Sequence, residues 1–435
     1  MLERDALGYA SARTVLFQRL SVMHCDLLLY AGVAAALGEQ RPSAGPVKRG
    51  GALAELLVFA LVVCDAGLLL VDHCHFQYNG FLLGLLLLAV AAVERGAHVR
   101  AAVLFSVLIH LKHLYLLAAP LFLVHLLRAA CYTDGGEGPR GAFMPGRFCA
   151  LGAVVVGVSA ISLGPFAAVG ALPDIAVRLF PFGERGLTHT YWAPNVWALY
   201  NFCDCAAVVG ARALRAAGLV ADGGWLASAA AAGLAHSSGT VEPEPHALLP
   251  SVNPAFTLLL TLALNAPVLA AVWARPSRRP FGDALCLVSL AAFLAGWHVH
   301  EKAILAPLLL AALRALDGPR QLRAFAMLAA PAHYALLPLL HEPAEYPLRL
   351  LAPCTYAAGA ALAVAATDAR LLRAFTRLDL AYLAGFAPLE LAASWLLPAL
   401  AARLPFLPLM LTSVYCAFGV VRASWLHARL FFAGE

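Results

Sequence analysis

Two short polar islands interrupt an otherwise apolar chain, Asp72-His73-Cys74-His75-Phe76-Gln77-Tyr78-Asn79 and His298-Val299-His300-Glu301-Lys302. The first offers a carboxylate and two imidazoles, followed by Gln77, Tyr78 and Asn79, which suit hydroxyl-rich ligands. The second sets two imidazoles, a carboxylate and an ammonium in sequence. An ammonium holds a phosphate as a point charge, and imidazoles donate to phosphate oxygens or protonate a leaving group. Each island also has a plainer reading. The first can be a water-facing helix end, and Glu301 and Lys302 can pair with each other and cap a helix. Another cation, Lys112, stands between His110 and His113 and can simply snorkel.

A third stretch, Phe180 to Asn201, interleaves Tyr191, Trp192, Trp197 and Tyr200 with Arg185, His189, Asn195 and Asn201. Aromatics of this kind form interfacial belts in membrane proteins. They also stack on the C–H faces of sugars whose hydroxyls seek polar partners, and both uses are compatible. No metal site is expected. Cys203-Asp204-Cys205 has the wrong spacing for a zinc knuckle, and His73 with His75 lacks an evident third ligand.

The elements that must position these groups follow from composition. With 62% hydrophobic and 13% charged residues, and a mean hydropathy of +0.79, the 435 residues cannot fold around one soluble core. Apolar runs recur at Leu56 to Leu70, Leu151 to Phe166, Phe256 to Trp273, Leu322 to Leu340, Leu350 to Ala366 and Phe406 to Val421. In lipid each can satisfy its backbone only as a helix, so the expected fold is all-α and polytopic, one membrane domain with about eleven to thirteen segments. The ten cysteines lie mostly within such runs and imply no disulfide framework.

The net charge of +5 is no sign of nucleic-acid binding, because the basic residues sit in short loops between apolar runs. By the positive-inside rule, Arg41 to Arg49, Glu94 to Arg100, Arg128 to Arg147, Arg275 to Arg279, Arg314 to Arg323 and Asp368 to Arg377 are cytosolic. The polar islands, the His110 to His113 turn, the long segment Leu172 to Pro254 and His341 to Tyr346 then share the opposite face. Two spans, Phe81 to Val93 and Ala303 to Leu313, reach only about 20 Å of a roughly 30 Å hydrocarbon core, as expected of broken helices lining a cavity. Residues 1 to 13 read as part of an exoplasmic loop with no signal-peptide pattern, so an upstream span and loop are expected.

Four ordered stretches resemble the dolichyl-phosphate-glucose-dependent α-1,3-glucosyltransferases of N-linked glycan assembly, and most closely the branch that adds the second glucose. They are His75 to Leu82, Arg178 to Asn201, Gly296 to Leu305 and Leu409 to Ala417. The branch adding the first glucose shares His-Phe-Gln-Tyr-Asn and Val-His-Glu-Lys, but has an acidic, lysine-containing segment where this chain has His189 to Asn195. The resemblance runs from about Ser11 to Ala423. It implies a GT-C-type enzyme of the endoplasmic-reticulum membrane with a lumenal active site. The donor would be dolichyl phosphate glucose and the acceptor the monoglucosylated dolichyl-diphosphate-linked high-mannose oligosaccharide. Transfer would invert the anomeric centre, and no cofactor would be needed.

On that reading His298, His300 and Lys302 surround the donor phosphate or leaving group. Glu301 and Asp72 orient and hydrogen-bond, and His73, His75, Gln77 and Asn79 line the cavity. Lys112 and Arg185 are cationic helpers, and His189, Tyr191, Trp192 and Asn195 contact substrate. The family places its catalytic carboxylate in the first lumenal loop, a position upstream of this chain. The competing expectations are an inactive homologue or scaffold, and a transporter relaying protons through buried His and Glu groups. Against the transporter stand the gathering of polar groups on one face and the lack of an inverted repeat.

Overall fold

In the computed structural model of the chain, the described residues are 9–39, 51–134, 141–220, 223–234, 243–276, 280–396, 404 and 406–434. The basic stretch Arg41 to Arg49 and the start Met1 to Asp5 lie outside them, as do parts of the Arg128 to Arg147 and Arg275 to Arg279 loops and of the Ala227 to Gly239 run. Among the described residues the structure is helical throughout, with two isolated bridges, Tyr132 to Phe143 and Thr188 to Val299, and no strand.

Among the described residues eight helices are long and apolar enough to cross a membrane, from Ala12–Gly38 to Leu407–Ala433, and three shorter apolar ones accompany them, Asn79–Glu94, His98–Leu111 and Phe281–Ala295. Their ends follow ordinary local rules. Proline occupies the first turn of Pro145–Ala168, Pro254–Ala274 and Pro319–Leu336, where its missing N–H costs nothing. Asn253 caps Pro254–Ala274 by accepting from the Phe256 N–H.

Burial separates the helices by role. Pro145–Ala168 has no buried residue, and its 24 residues reach about 36 Å, so it presents apolar side chains outward to lipid. Asn79–Glu94, Phe281–Ala295 and Pro319–Leu336 are buried over most of their surface, as expected of the first two, which are apolar nearly all round. The N-terminal helix Ala12–Glu39 lies along Asn79–Glu94 at unusually close range. A methyl on Gly84 would fall 2.5 Å from the Leu28 carbonyl carbon and one on Gly32 would fall 2.6 Å from the Gly84 oxygen. Small residues permit such contact where no hydrophobic force drives helices together in lipid. Alanine at either position would push these two helices apart.

The expected short span Ala303 to Leu313 is a 3-10 turn, Glu301–Ile304, followed by the eight-residue helix Leu305–Ala312, about 12 Å long. The expected Phe81 to Val93 span is the 16-residue helix Asn79–Glu94, about 24 Å. Both begin at the two polar islands.

Charge pairs gather at the other end. Arg314 bonds Asp283 at 2.5 Å and Asp317 at 2.7 Å. Asp379, fully buried, accepts from Arg323 at 2.7 Å and Arg422 at 2.5 Å. Asp283 starts the helix that ends just before Trp297, so these pairs and the polar islands stand at opposite ends of the bundle.

Candidate functional site

The two islands meet although 225 positions separate the bonded residues: Lys302 Nζ donates to Gln77 Oε1 at 3.0 Å. Lys302 therefore takes Gln77 as its hydrogen-bond partner and leaves Glu301 aside. From Gln77 the network continues, with Asn79 Nδ2 donating to Gln77 Oε1 at 3.3 Å and to Asp72 Oδ1 at 2.8 Å. Lys112 Nζ donates to Asn79 Oδ1 at 2.9 Å. Two lysine ammoniums thus stand on one chain of amides. Burial, then the charge of Lys302, brings the Lys112 ammonium down to about 8.

Asp72 is 2% exposed and has both oxygens engaged, its Oδ2 accepting from the Gly80 N–H at 2.6 Å. It orients Asn79 and caps the helix behind it, and with both oxygens taken it is no free base. Glu301 is likewise buried, and burial raises its carboxyl. Both islands turn through left-handed backbone at a non-glycine residue, φ 52° at Phe76 and φ 51° at His298. Such conformations cost free energy and persist only where surrounding contacts enforce them.

At His298 the enforcing contacts are visible. Its N–H donates to Leu187 O at 2.9 Å, its Nδ1 bonds Gly186 O at 2.9 Å, and Trp297 Nε1 donates to Arg185 O at 3.2 Å. The 185–189 loop is thereby laced to the second island. His189 consequently sits 4.1 Å from His300 and 5.5 Å from His298 between ring centroids. Burial is the largest cause lowering all three; neighbouring imidazoles and cations add to it at His189 and at His300, which falls to about 3, while at His298 the Gly186 hydrogen bond opposes burial and Arg185 reinforces it. At neutral pH these imidazoles are uncharged and act as single N–H donors. Arg185 is exposed at the rim, and its charge acts on all three.

Beside the lysines opens a cleft of about 620 Å³, open solvent included, with Asn79, Lys112 and Lys302 among its lining and Leu83, Leu114, Val288 and Phe293 along its walls. A phosphate held at the ammoniums would have an apolar wall for a hydrocarbon tail.

Other expected residues are placed differently. Trp192 is fully buried in a second core with Ala198, Cys205 and Ala417, and offers no face to a sugar. Asn195 caps the Val196–Ala216 helix, accepting from the Trp197 and Ala198 N–H groups, while its Nδ2 donates to Phe293 O at 3.1 Å. Asn195 is also 1% exposed, so both residues are corrected from substrate contacts to supports. Replacing Trp192 with alanine should destabilise the fold by about 3–5 kcal/mol and reduce membrane yield, with the KM of surviving protein unchanged. Tyr191 is half-buried with its hydroxyl enclosed.

His73 pairs with Asp26, Nε2 to Oδ2 at 3.1 Å, and the His75 Nε2 is enclosed with no hydrogen-bond partner among the described residues. Asp26 had escaped the sequence reading, although a lone acid in an apolar helix is itself a signal. A Cβ at Gly80 would come within 3.2 Å of Asp26 Oδ1 and 3.4 Å of Asp72 Oδ2, so glycine is required where the two acids approach this backbone. Asp204, weighed as a metal ligand, accepts the N–H groups of Ala247, Leu248 and Leu249 at 2.8–2.9 Å. Those bonds hold its carboxyl below its ordinary value despite burial. Asp204→Ala should loosen residues 247–249 by about 2–3 kcal/mol, seen as faster amide exchange there.

A bundle of membrane-length helices that carries lysines, amides and imidazoles at one end of an apolar cleft is the framework of an enzyme acting on lipid-linked substrates. Residues 1–427 match the ALG6, ALG8 glycosyltransferase family, and the chain belongs to that family. The dolichyl pyrophosphate Glc1Man9GlcNAc2 alpha-1,3-glucosyltransferase of Mus musculus is 40% identical over 97% of this chain and 80% of its own length. The proteins of that name from Bos taurus and Arabidopsis thaliana are 38% and 36% identical, over 98% and 97% of this chain and 80% and 81% of their own lengths.

Proposed function

We propose that this chain transfers glucose from dolichyl phosphate glucose to the monoglucosylated, dolichyl-diphosphate-linked high-mannose oligosaccharide, forming an α-1,3 bond with inversion. Within the family this is the step that adds the second glucose. The relatives that share 36–40% identity along nearly the whole chain bear the name of that activity. The observation that carries the site assignment is the convergence of Lys302 and Lys112, through Gln77 and Asn79, at the mouth of an apolar cleft.

In this reading Lys302 and Lys112 neutralise the donor phosphate, whose departure is the bond-breaking half of the displacement. Hydrocarbon wall residues such as Leu83 and Leu114 take the first part of the polyprenyl chain. His300, neutral beside Lys302, donates to a phosphate oxygen, His298, whose single N–H goes to the Gly186 carbonyl, holds the turn that carries His300, and Arg185 attracts the anionic substrates from the rim. Asp72 fixes Asn79, and Asn79 fixes Lys112. Glu301 orients the turn that carries Lys302. Gln77 contacts sugar, and the enclosed His75 Nε2 and Tyr191 hydroxyl do not reach it. Deprotonation of the acceptor hydroxyl is assigned to neither Asp72 nor Glu301.

The buried pair His333 Nε2 to Asp65 Oδ2, 2.7 Å apart, is a feature that would suit the transporter reading. It is sealed, with side chains 4% and 0% exposed, and the network of polar residues around Lys302 does not include it.

The reading places the site in the lumen of the endoplasmic reticulum. A glycosylation acceptor engineered near Glu242 should therefore be modified in microsomes and one near Arg278 should not, both positions lying outside the described residues. The reverse pattern would overturn the topology.

A further inference from the structure

We propose that His189, His298 and His300 form a three-imidazole binding site for a zinc-class divalent cation, with the fourth position open. The ligating nitrogens available from the three rings all lie within 4.8 Å of one another. Around a tetrahedral zinc bound at about 2.0–2.1 Å, adjacent ligand nitrogens stand roughly 3.4 Å apart. Ring rotations can close that difference, because the three ring centroids already stand 4.1, 5.5 and 5.8 Å apart.

The support behind the rings is of the kind that metal sites use. His298 Nδ1 bonds the Gly186 carbonyl at 2.9 Å, which fixes the ring and leaves Nε2 as the ligand atom. Ligating histidines are usually held in this way, by a backbone carbonyl on the other nitrogen. The loops themselves are joined by the Thr188 to Val299 bridge and by the bond from His298 N–H to Leu187 O at 2.9 Å. The backbone at His298 is left-handed, φ 51°, and its ring centroid stands 5.8 Å from that of His300. A cluster of imidazoles with no carboxylate in it favours zinc, copper or nickel and disfavours magnesium or calcium.

Arg185 acts electrostatically on all three rings and Lys302 on His189 and His300, so an anionic fourth ligand suits an ion seated there. Zinc-bound water, which loses a proton near neutrality, or chloride from the buffer, supplies it. The inference stands on the histidine geometry and not on glucose transfer, so it is tested without either sugar substrate.

The full chain, purified in detergent, stripped with chelator and equilibrated with micromolar zinc, should retain one zinc per chain by mass spectrometry. Cobalt loaded in its place should give the intense visible bands of tetrahedral coordination. His189→Ala and His300→Ala should each weaken zinc retention at least tenfold, whereas His341→Ala, at an exposed histidine elsewhere, should leave it unchanged. Sub-stoichiometric zinc and no tetrahedral cobalt spectrum in the unmodified chain would overturn the site, whatever the variants do. So would equal retention by the His189→Ala/His300→Ala double variant, which would mark the zinc as bound elsewhere.

Discussion

Lys302→Ala should lower glucose transfer by about 100- to 1000-fold, the usual effect of deleting one preorganised charge-stabilising donor, while the protein remains inserted in the membrane. The side chain is partly buried, and its recorded hydrogen-bond acceptor is the neutral Gln77 oxygen. It is therefore free to take a phosphate without first breaking an ion pair. Phosphate charge grows on the leaving oxygen as the glycosidic bond lengthens, so the loss should fall mainly on kcat. Lys302→Arg should recover only part of it, because a planar fork cannot replace a point charge within the same small site. Transfer at the unmodified rate by Lys302→Ala would remove the phosphate role.

The second large effect is one of pH. Lys112 holds its proton only up to about 8 because it is buried and lies near Lys302. Below that value the ammonium is present and assists donor binding. Above it the group is neutral, so the donor KM should rise about tenfold per pH unit as pH climbs past 8. Bound phosphate returns a counter-charge and stabilises the ammonium, so the corresponding limb in kcat should lie at higher pH. Lys112→Arg, charged throughout this range, should flatten the KM profile. An alkaline limb that survives in Lys112→Arg would assign it to another group. Asn79→Leu should weaken donor binding in the same direction, because Asn79 is the residue that ties Lys112 to Asp72.

Helical class could be read from the chain because lipid leaves so few ways to satisfy a backbone, and the meeting of the two islands at one end of the bundle agrees with their placement on a common face. The short spans were legible for the same reason, as counts of apolar residues against bilayer thickness. Pairings between distant loops were not. Nothing in the spacing of His189 relative to His298 and His300 says that a bridge between Thr188 and Val299 will bring them together. Asn195 shows a different kind of miss. An asparagine immediately before an apolar helix is an N-cap signal, and the sugar-binding reading of that stretch overrode it. Trp192 was misread because an aromatic beside polar groups looks interfacial until the helix packed over it is known. The pairing of Asp26 with His73 depended on how closely Ala12–Glu39 approaches Asn79–Glu94, a matter of Gly32 and Gly84 that a hydropathy profile does not record.

The most direct measurement supplies the full-length protein in membranes with labelled dolichyl phosphate glucose and two lipid-linked acceptors, one without glucose and one carrying a single glucose, and follows the label. The account predicts one glucose added in α-1,3 linkage to the monoglucosylated acceptor and none to the other. Transfer to the unglucosylated acceptor, or transfer to neither under conditions where a relative is active, would contradict it.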